Sequence, residues 1–592
     1  MDIENLFQDV RQRLNNHYDS EKLLLLQVLQ LANQKGMQFT TDFFSSLSER
    51  LSLPATEIKG IASFYSFLDK PRNTQYDIRI SDNITDQFQN NAYVINTLQE
   101  KYADNPKVNI ATTSCIGMND QGPAMLVNGY TIPNLGPGTL EHVFSLIDDN
   151  IPLTSWPSEL FTVADNIQRK DILLNDVSGN GTSLNKLTNA EPDEILSIIQ
   201  NSGLSGRGGA GFSTASKWRL CKQAETENKH VICNADEGEP GTFKDRVLLN
   251  SYANQFIEGM TLCAGIVGAS QGYIYLRAEY LFLLPKLNAV LQKRRDDNLL
   301  GNNILGKKGF DFDIDIHLGA GAYICGEESA LIESLEGKRG IPRNRPPFPV
   351  TQGYINQPTI VNNVETFLAA AGIVEHGADW FKNTGTEKSP GTKLLSISGD
   401  CKKPGVYEFP FGTSIKDILS ACGASDTQAV QVAGAAGHMV APDEFDHAIS
   451  FEDYATAGSF MVYDHSRDLF QVIKNFADFF KHESCGFCTP CRVGTSLQSD
   501  LVEKLVEGNA SSYDINEIKS IAKLMQTTSH CGLGATASTA ILDLIEKFPQ
   551  LLEKRLKHLD YTPAFNLDAA LEQSRQITGR EDSQSHIGGY HD

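Results

Sequence analysis

The stretch Val231-Ile-Cys-Asn-Ala-Asp-Glu-Gly-Glu-Pro-Gly-Thr242 carries the main structural message of this chain. Its first three residues, Val231 to Cys233, read as a buried strand. Behind them stand Asn234, Asp236, Glu237 and Glu239, interrupted by glycine and proline. Amide and acidic side chains at a strand's carboxyl end sit where open α/β sheets bind ligands; a solvated loop is the plain alternative. Upstream, Gly206-Arg207-Gly208-Gly209-Ala210-Gly211-Phe212 follows a short helix at Ile195–Gln200 and leads to Lys217 and Trp218. Such a loop lets backbone amides approach a phosphate, with Arg207 or Lys217 adding charge, although it also serves as a mere turn. Downstream, the small-residue run Gly319–Ser329 holds Tyr323 and Gly326 and opens a helix. Glu327 and Glu328 at that helix start suit the helix dipole. Asn362-Asn363, after the strand-like Thr359–Val361, can hydrogen-bond a polar ring or hold a turn.

The apolar, glycine-rich stretch Gly259–Leu276 is bracketed by Glu258 and Arg277 and reads as a helix followed by a buried strand, not as a membrane span. With 592 residues the chain exceeds one hydrophobic core, so several domains are expected. The formal charge of −22 argues against a nucleic-acid partner, which needs a basic face. The first ten residues, MDIENLFQDV, are acidic and polar and show no secretory signal. Eleven dispersed cysteines point to a reducing compartment, the cytoplasm. Seven of them are isolated and read as small buried apolar residues.

The other four carry chemistry. Cys485-Gly-Phe-Cys488-Thr-Pro-Cys491 brings three thiols together, and Cys531 is the remaining cysteine of the same helical region. Thiolates suit zinc and iron–sulfur clusters alike; three close cysteines and one distant one favour 4Fe–4S, with zinc the second choice. His530 abuts the fourth ligand, either as a hydrogen-bond donor or facing solvent.

Helical patterns cover Leu23–Leu31, a stretch from Thr41 and Glu57–Leu68. A small α/β unit follows, with strands at Tyr76–Ile80, Val108–Thr112 and Met125–Val127. The divisions expected are a helical head at 1–75, an α/β domain at 76–150, a linker at 151–190 and a large α/β domain at 191–390. A strand-rich domain at 391–465, a helical bundle at 466–560 and a disordered tail at 561–592 complete the chain.

Taken together, Gly206–Lys217, Asn234–Arg246, Gly319–Pro349, Pro358–Phe367, Glu483–Gly494 and His530–Gly534 resemble the flavoprotein subunit of complex I and its relatives in NAD-reducing hydrogenases and NAD-dependent formate dehydrogenases. The front 150 residues resemble the small thioredoxin-like subunit of the same enzymes, through Ile58–Phe67 and Cys115–Met125. That fusion, with Cys531–Thr536 and Phe565–Leu571, is most similar to the diaphorase subunit of the soluble hydrogenases. The resemblance implies a multidomain α/β fold: a helical head, a thioredoxin-like domain, a Rossmann-like FMN/NADH domain, a ubiquitin-like β-grasp domain and a helical bundle with an iron–sulfur cluster. It implies FMN held by Gly206, Arg207, Gly208, Gly209, Lys217, Asn234, Asp236, Glu237, Tyr323, Gly326, Glu327, Asn362, Asn363 and Thr366. NADH would meet Phe212, Glu239, Glu328, Arg345 and Phe348, and one 4Fe–4S cluster would bind Cys485, Cys488, Cys491 and Cys531. Glu239 and Glu328 would repel a 2′-phosphate and favour NAD over NADP. Leu220 stands where the family often has a second aromatic residue.

The implied activity is an NADH dehydrogenase or diaphorase, with hydride transfer to FMN and single-electron transfer onward. No protein acid or base is implied, because the flavin carries the chemistry. The implied partners are an iron–sulfur diaphorase small subunit and hydrogenase subunits, without membrane insertion. Membership of a complex I or formate dehydrogenase assembly is the alternative, and a non-catalytic iron–sulfur scaffold is the alternative of another class. The small subunit's own 2Fe–2S cluster needs four cysteines in two pairs, and here Cys115 stands alone. Asn119 occupies its partner's place, and Ser81 and Asp86 roughly those of the first pair. A cluster-free front domain that serves as a docking surface is therefore expected.

Overall fold

Strand edges and their partners define three sheets in the computed structural model, which describes residues 3–14, 18–68, 74–557 and 567–580. The sequence segments 561–566 and 581–592, part of the expected tail, lie outside the described residues, but Leu567–Thr578 within that tail forms a helix where disorder was expected. The head consists of helices Ile3–Arg13, Leu25–Gln34, Thr41–Leu51 and Ala55–Ala62. The fourth helix stops before Leu68, and Ser66–Leu68 continues as a tight turn. The head is bound to the large domain by buried polar contacts. Tyr65 Oη donates to the Lys338 carbonyl at 2.6 Å, and Tyr18 Oη donates to Asp315 at 2.8 Å.

The front α/β unit holds β1 (Tyr76–Ser81), β2 (Val108–Thr113), β3 (Met125–Val127) and β4 (Tyr130–Ile132). Their order is β2-β1-β3-β4, with β1 and β2 parallel and the other pairs antiparallel. Helices Asn91–Tyr102 and Pro137–Asp148 contribute Leu98, Leu140 and Val143 to the core beneath this sheet.

The segment 151–190, read from sequence as a linker, is ordered. Its strand β5 (Ile167–Arg169) and helices Ile172–Asp176 and Thr182–Thr188 are fixed by two buried carboxylates far away in sequence. Glu408 accepts from the amides of Asp171, Leu173 and Leu174 at 2.7 to 3.0 Å. Glu258 accepts from the Gly181 and Ser183 amides. Long-range caps of this kind leave no local periodicity for a sequence reading to detect.

The large domain is built on β6 (His230–Ala235), β7 (Gln271–Leu276), β8 (Asp313–Leu318) and β9 (Thr359–Asn363), all parallel in the order β8-β7-β6-β9. The chain steps outward from β6 to β8, then returns to the other flank of β6 as β9. That reversal creates a crevice at the carboxyl ends of β6 and β9. Helices Ala253–Val267 and Val364–His376 cover the sheet and touch through Gly259, where an added Cβ would collide with the Phe367 carbonyl. This is the apolar segment that leads into β7. Among the described residues no helix is long and apolar enough to cross a membrane.

Strands β10 (Thr392–Gly399), β11 (Gly405–Pro410), β12 (Thr427–Val432), β13 (His438–Val440) and β14 (Ser459–Asp464) form the third sheet. Its order, β13-β12-β14-β10-β11-β5, takes in the strand from segment 151–190. Helix Ile415–Cys422 packs Ile415, Ile418 and Leu419 on this sheet. Helices Leu469–Glu483, Thr489–Val506, Ser512–Thr528 and Thr539–Lys547 form the bundle.

Candidate functional site

Parallel register brings the key amides together: Cys233 lies opposite Asn362 and Asn234 opposite Asn363. Asn234 Nδ2 donates to the Gly326 carbonyl at 2.8 Å, tying the end of β6 to the segment after β8. Asn362 is held by Trp218 Nε1 at 2.9 Å. Over these ends lies the glycine loop. It is closed by a bridge between Ser205 and Ser213 and by a Gly206 amide bond to the Phe212 carbonyl at 2.9 Å. Gly208 comes so near that a Cβ there would lie 3.4 Å from that of Asn363. Gly209 adopts φ of 113°, which only glycine takes easily. The Arg207 amide donates to Thr366 Oγ1 at 2.9 Å. Among the described residues, the amides of Gly208 to Gly211 have no protein acceptor. Four free amides on a glycine turn fit a phosphate. The crevice also holds a buried acceptor without a partner, Asp236 Oδ2. The residues present therefore fit a phosphorylated ring cofactor such as FMN.

Several side chains assigned to the flavin turn elsewhere. The Arg207 guanidinium points under the loop, bonds the Pro390 carbonyl at 2.8 Å and lies over the rings of Phe411 and Phe381. It braces the loop from behind and does not face a phosphate. Glu237 has both oxygens taken: by the Asp245 amide at 2.8 Å, the Arg246 amide at 3.2 Å and Tyr280 Oη at 2.8 Å. Burial raises its pKa to about 7. Asn363 caps the helix that follows β9, and Glu327 caps helix Glu328–Leu335. The helix-dipole reading of Glu327 thus holds.

Phe212 and Phe348 are exposed, and so is Leu220, in the same helix as Lys217. The carboxylates expected to repel a 2′-phosphate are not free. Glu328 is paired with Lys217 at 2.7 Å and with Arg345 at 3.4 Å. Glu239 accepts from Tyr323 Oη at 2.6 Å and from the Ala436 amide at 3.0 Å, and burial raises its pKa to about 7. Lys217 also donates to the Val361 carbonyl at 2.7 Å, so it stands at the end of β9.

Cys485, Cys488, Cys491 and Cys531 line one cavity, with Ile324, Pro342 and Leu533. Among the described residues no three His, Cys, Asp or Glu side chains converge on a single-ion position. Burial pushes the Cys491 and Cys531 thiols up to about 11. They become thiolates only beside a strong positive centre. The His530 amide points at Cys488 Sγ at 3.5 Å, and Ser484 Oγ lies 3.3 Å from Cys491 Sγ. Such donors raise a cluster's potential. These residues fit a 4Fe–4S cluster. His530 Nε2 is engaged with the Pro342 carbonyl at 3.2 Å. Sequence reading missed Glu483 and Ile324 as connectors. The Tyr323 amide donates to Glu483 at 3.0 Å, one residue before Ile324 reaches the thiol cavity.

The front domain does not fit a 2Fe–2S cluster. Ser81 Oγ bonds Asp86 at 2.6 Å, Cys115 Sγ bonds Asn119 at 3.4 Å, and Asn119 Nδ2 bonds Thr85 at 2.8 Å. The four positions form two hydrogen-bonded pairs, Ser81 with Asp86 and Cys115 with Asn119, and hold a single thiol between them.

Residues 199–371 match the family described as Nuo51 FMN-binding domain. Residues 471–555 match the NADH-ubiquinone oxidoreductase-F iron-sulfur binding region, and residues 11–148 the thioredoxin-like 2Fe-2S ferredoxin family. The alpha subunit of the NAD-reducing hydrogenase HoxS of Cupriavidus necator is 40% identical over 94% of this chain and 96% of its own length. A subunit of the NADH-quinone oxidoreductase of Aquifex aeolicus is 41% identical over 64% of this chain and 90% of its own. A crystal structure of an NAD+-reducing nickel–iron hydrogenase in the H2-reduced state superposes with a TM-score of 0.87 at 40% identity, covering 96% of this chain and 99% of that one. The chain therefore belongs to the family of flavoprotein subunits shared by NAD-reducing hydrogenases and NADH-quinone oxidoreductases, in the form that carries a thioredoxin-like domain in front.

Proposed function

We propose that the chain is the diaphorase subunit of an NAD-reducing hydrogenase. It exchanges hydride between NAD(H) and FMN and passes electrons singly through the Cys485/Cys488/Cys491/Cys531 cluster to an iron–sulfur small subunit and the hydrogenase subunits. One observation carries this reading: Tyr323 sits at the flavin crevice, and the next residue, Ile324, lines the thiol cavity. Bound FMN supplies the conversion between a two-electron and a one-electron carrier. The protein's own work is placement. The amides of Gly208 to Gly211 hold phosphate, the β6 and β9 amides orient the ring, and Phe212 and Phe348 stack the dinucleotide. The front domain serves as a cluster-free docking surface, supported by the single thiol among its four ligand positions. A cytoplasmic location is supported by the eleven free cysteines. The hydrogenase assembly is favoured over a quinone-linked one because the hydrogenase relative spans the front domain, whereas the Aquifex relative aligns with 64% of the chain.

Purification with native partners, followed by NAD+ reduction assays, tests this. NADH should form with hydrogen as donor; formation with formate instead, or NADH oxidation by a quinone as the main activity, assigns the other complexes.

Nucleotide preference follows from the rim. Glu328→Ala frees Lys217 of its carboxylate and leaves Arg345 with Glu327 alone, and the added positive charge attracts a 2′-phosphate. The NADPH/NADH ratio of kcat/KM is expected to rise about tenfold, equivalent to ~1.4 kcal/mol. An unchanged ratio removes Glu328 from nucleotide selection.

A further inference from the structure

The flavin and cluster sites leave one particle unplaced. A hydride is two electrons and one proton, and an iron–sulfur cluster takes electrons alone. That proton travels with the hydride to the flavin position and is left in a buried site once the two electrons have moved on to the cluster. At that point the structure has a second cavity, where the head, the front domain, the large domain and the helical bundle meet. Ser66 reaches it from the head, Thr113 and Ser114 from the end of β2, and Tyr323 and Asp236 from the flavin crevice. Its lining is polar, and Asp236 Oδ2, buried and unpartnered among the described residues, belongs to it.

We propose that Asp236 takes the proton left at the flavin site when the electrons of NADH have passed to the cluster, and that this junction cavity conducts it, through water, from the flavin site to solvent. The inference rests on the flavin reading above.

The groups facing Asp236 suit the role. Arg277 and Glu279 approach from the turn after β7, and Glu483 from the last turn of helix Leu469–Glu483. Tyr275 on β7, Tyr65 of the head and Cys325 stand behind it. Arg277 is already spent: it donates to Glu279 at 2.7 and 3.0 Å and to the Cys115 carbonyl at 2.6 Å. Glu483 is occupied by Ser114 Oγ at 3.1 Å and by the Tyr323 amide, so it forms wall and takes no proton in this scheme. Burial, which Arg277 opposes and Glu279 and Glu483 reinforce, holds the Asp236 carboxyl well above the usual range. A buried carboxyl whose neutral form is favoured is suited to holding a proton.

The test uses the holoenzyme mixed with NADH in weak buffer. Flavin bleaching and an indicator dye are followed together, and an infrared difference spectrum is recorded between reduced and oxidised states. In wild type, proton release should keep pace with flavin re-oxidation, and a carboxylic acid C=O band should appear as the flavin is re-oxidised. Asp236→Asn should lose that band and lower the rate of proton release relative to flavin turnover by at least about tenfold. Ser114→Leu fills the cavity and leaves Asp236 intact. It should retain the band and the bleaching rate yet slow proton release, which keeps the proposal testable if Asp236→Asn does not fold. Proton release that stays in step in both variants, with the band persisting in Asp236→Asn, overturns the proposal. Absence of flavin from the wild-type holoenzyme instead overturns the flavin reading on which it rests.

Discussion

Cys531→Ser is expected to eliminate the 4Fe–4S signal and to cut electron delivery from NADH to the partner subunits by more than about a hundredfold, beyond the 10–100-fold typical of changes around a metal ligand. Flavin bleaching by NADH should survive, because the crevice between β6 and β9 does not depend on the fourth thiol. The size of the effect follows from the cavity. Its Cys491 and Cys531 thiols are pushed up to about 11 by burial, so assembly depends on the cluster's charge acting through all four ligands at once. A serine hydroxyl is a far poorer ligand for iron than a thiolate. No neighbouring side chain takes over, since His530 is engaged with the Pro342 carbonyl. Cys401→Ser, in the third sheet's domain and away from the thiol cavity, serves as the control and should leave the signal intact. Electron paramagnetic resonance of the dithionite-reduced variant reads the first effect, and stopped-flow absorbance reads the second.

Asp120→Ala is expected to release the front domain. Arg246 is fully buried and spans the junction between the front and large domains. It grips both Asp120 oxygens at 2.9 Å, the Gly117 carbonyl at 2.6 Å and the Ala164 carbonyl at 3.1 Å. Removing the carboxylate strands a guanidinium in the interior, a loss of about 3–5 kcal/mol. Trp156 lies in the front domain's core and reports on it by fluorescence. Its urea transition should move to lower denaturant. The exposed Lys293–Asp297 pair offers the contrast: Asp297→Ala should produce no shift, because solvent screens it. Equal behaviour of the two variants would mean that the junction is not held by this ion pair.

Much of this was legible in the chain. Three features with strong local signals placed the elements: the β6 apolar run with its polar tail, the 3.6-residue period of the bundle helices, and the tight cysteine spacing. The side-chain roles were less legible, because they depend on which partner wins. Arg207 looked like a phosphate ligand, yet three phenylalanines from distant segments offered it a buried ring-lined pocket. Glu237 sits in the right motif, but the open start of helix Lys244–Ser251 claimed both its oxygens. Segment 151–190 looked structureless because its caps, Glu258 and Glu408, are supplied from elsewhere. The same holds for Glu328, whose charge reads as free until Lys217 and Arg345 are seen beside it.

Anaerobic titration of the purified chain with NADH, followed by absorbance and paramagnetic resonance, tests the relay most directly. The expected result is one FMN and one 4Fe–4S cluster per chain, both reduced by NADH, with no 2Fe–2S signal. A cluster that dithionite reduces but NADH does not, or a stoichiometric 2Fe–2S signal from the front domain, would contradict it.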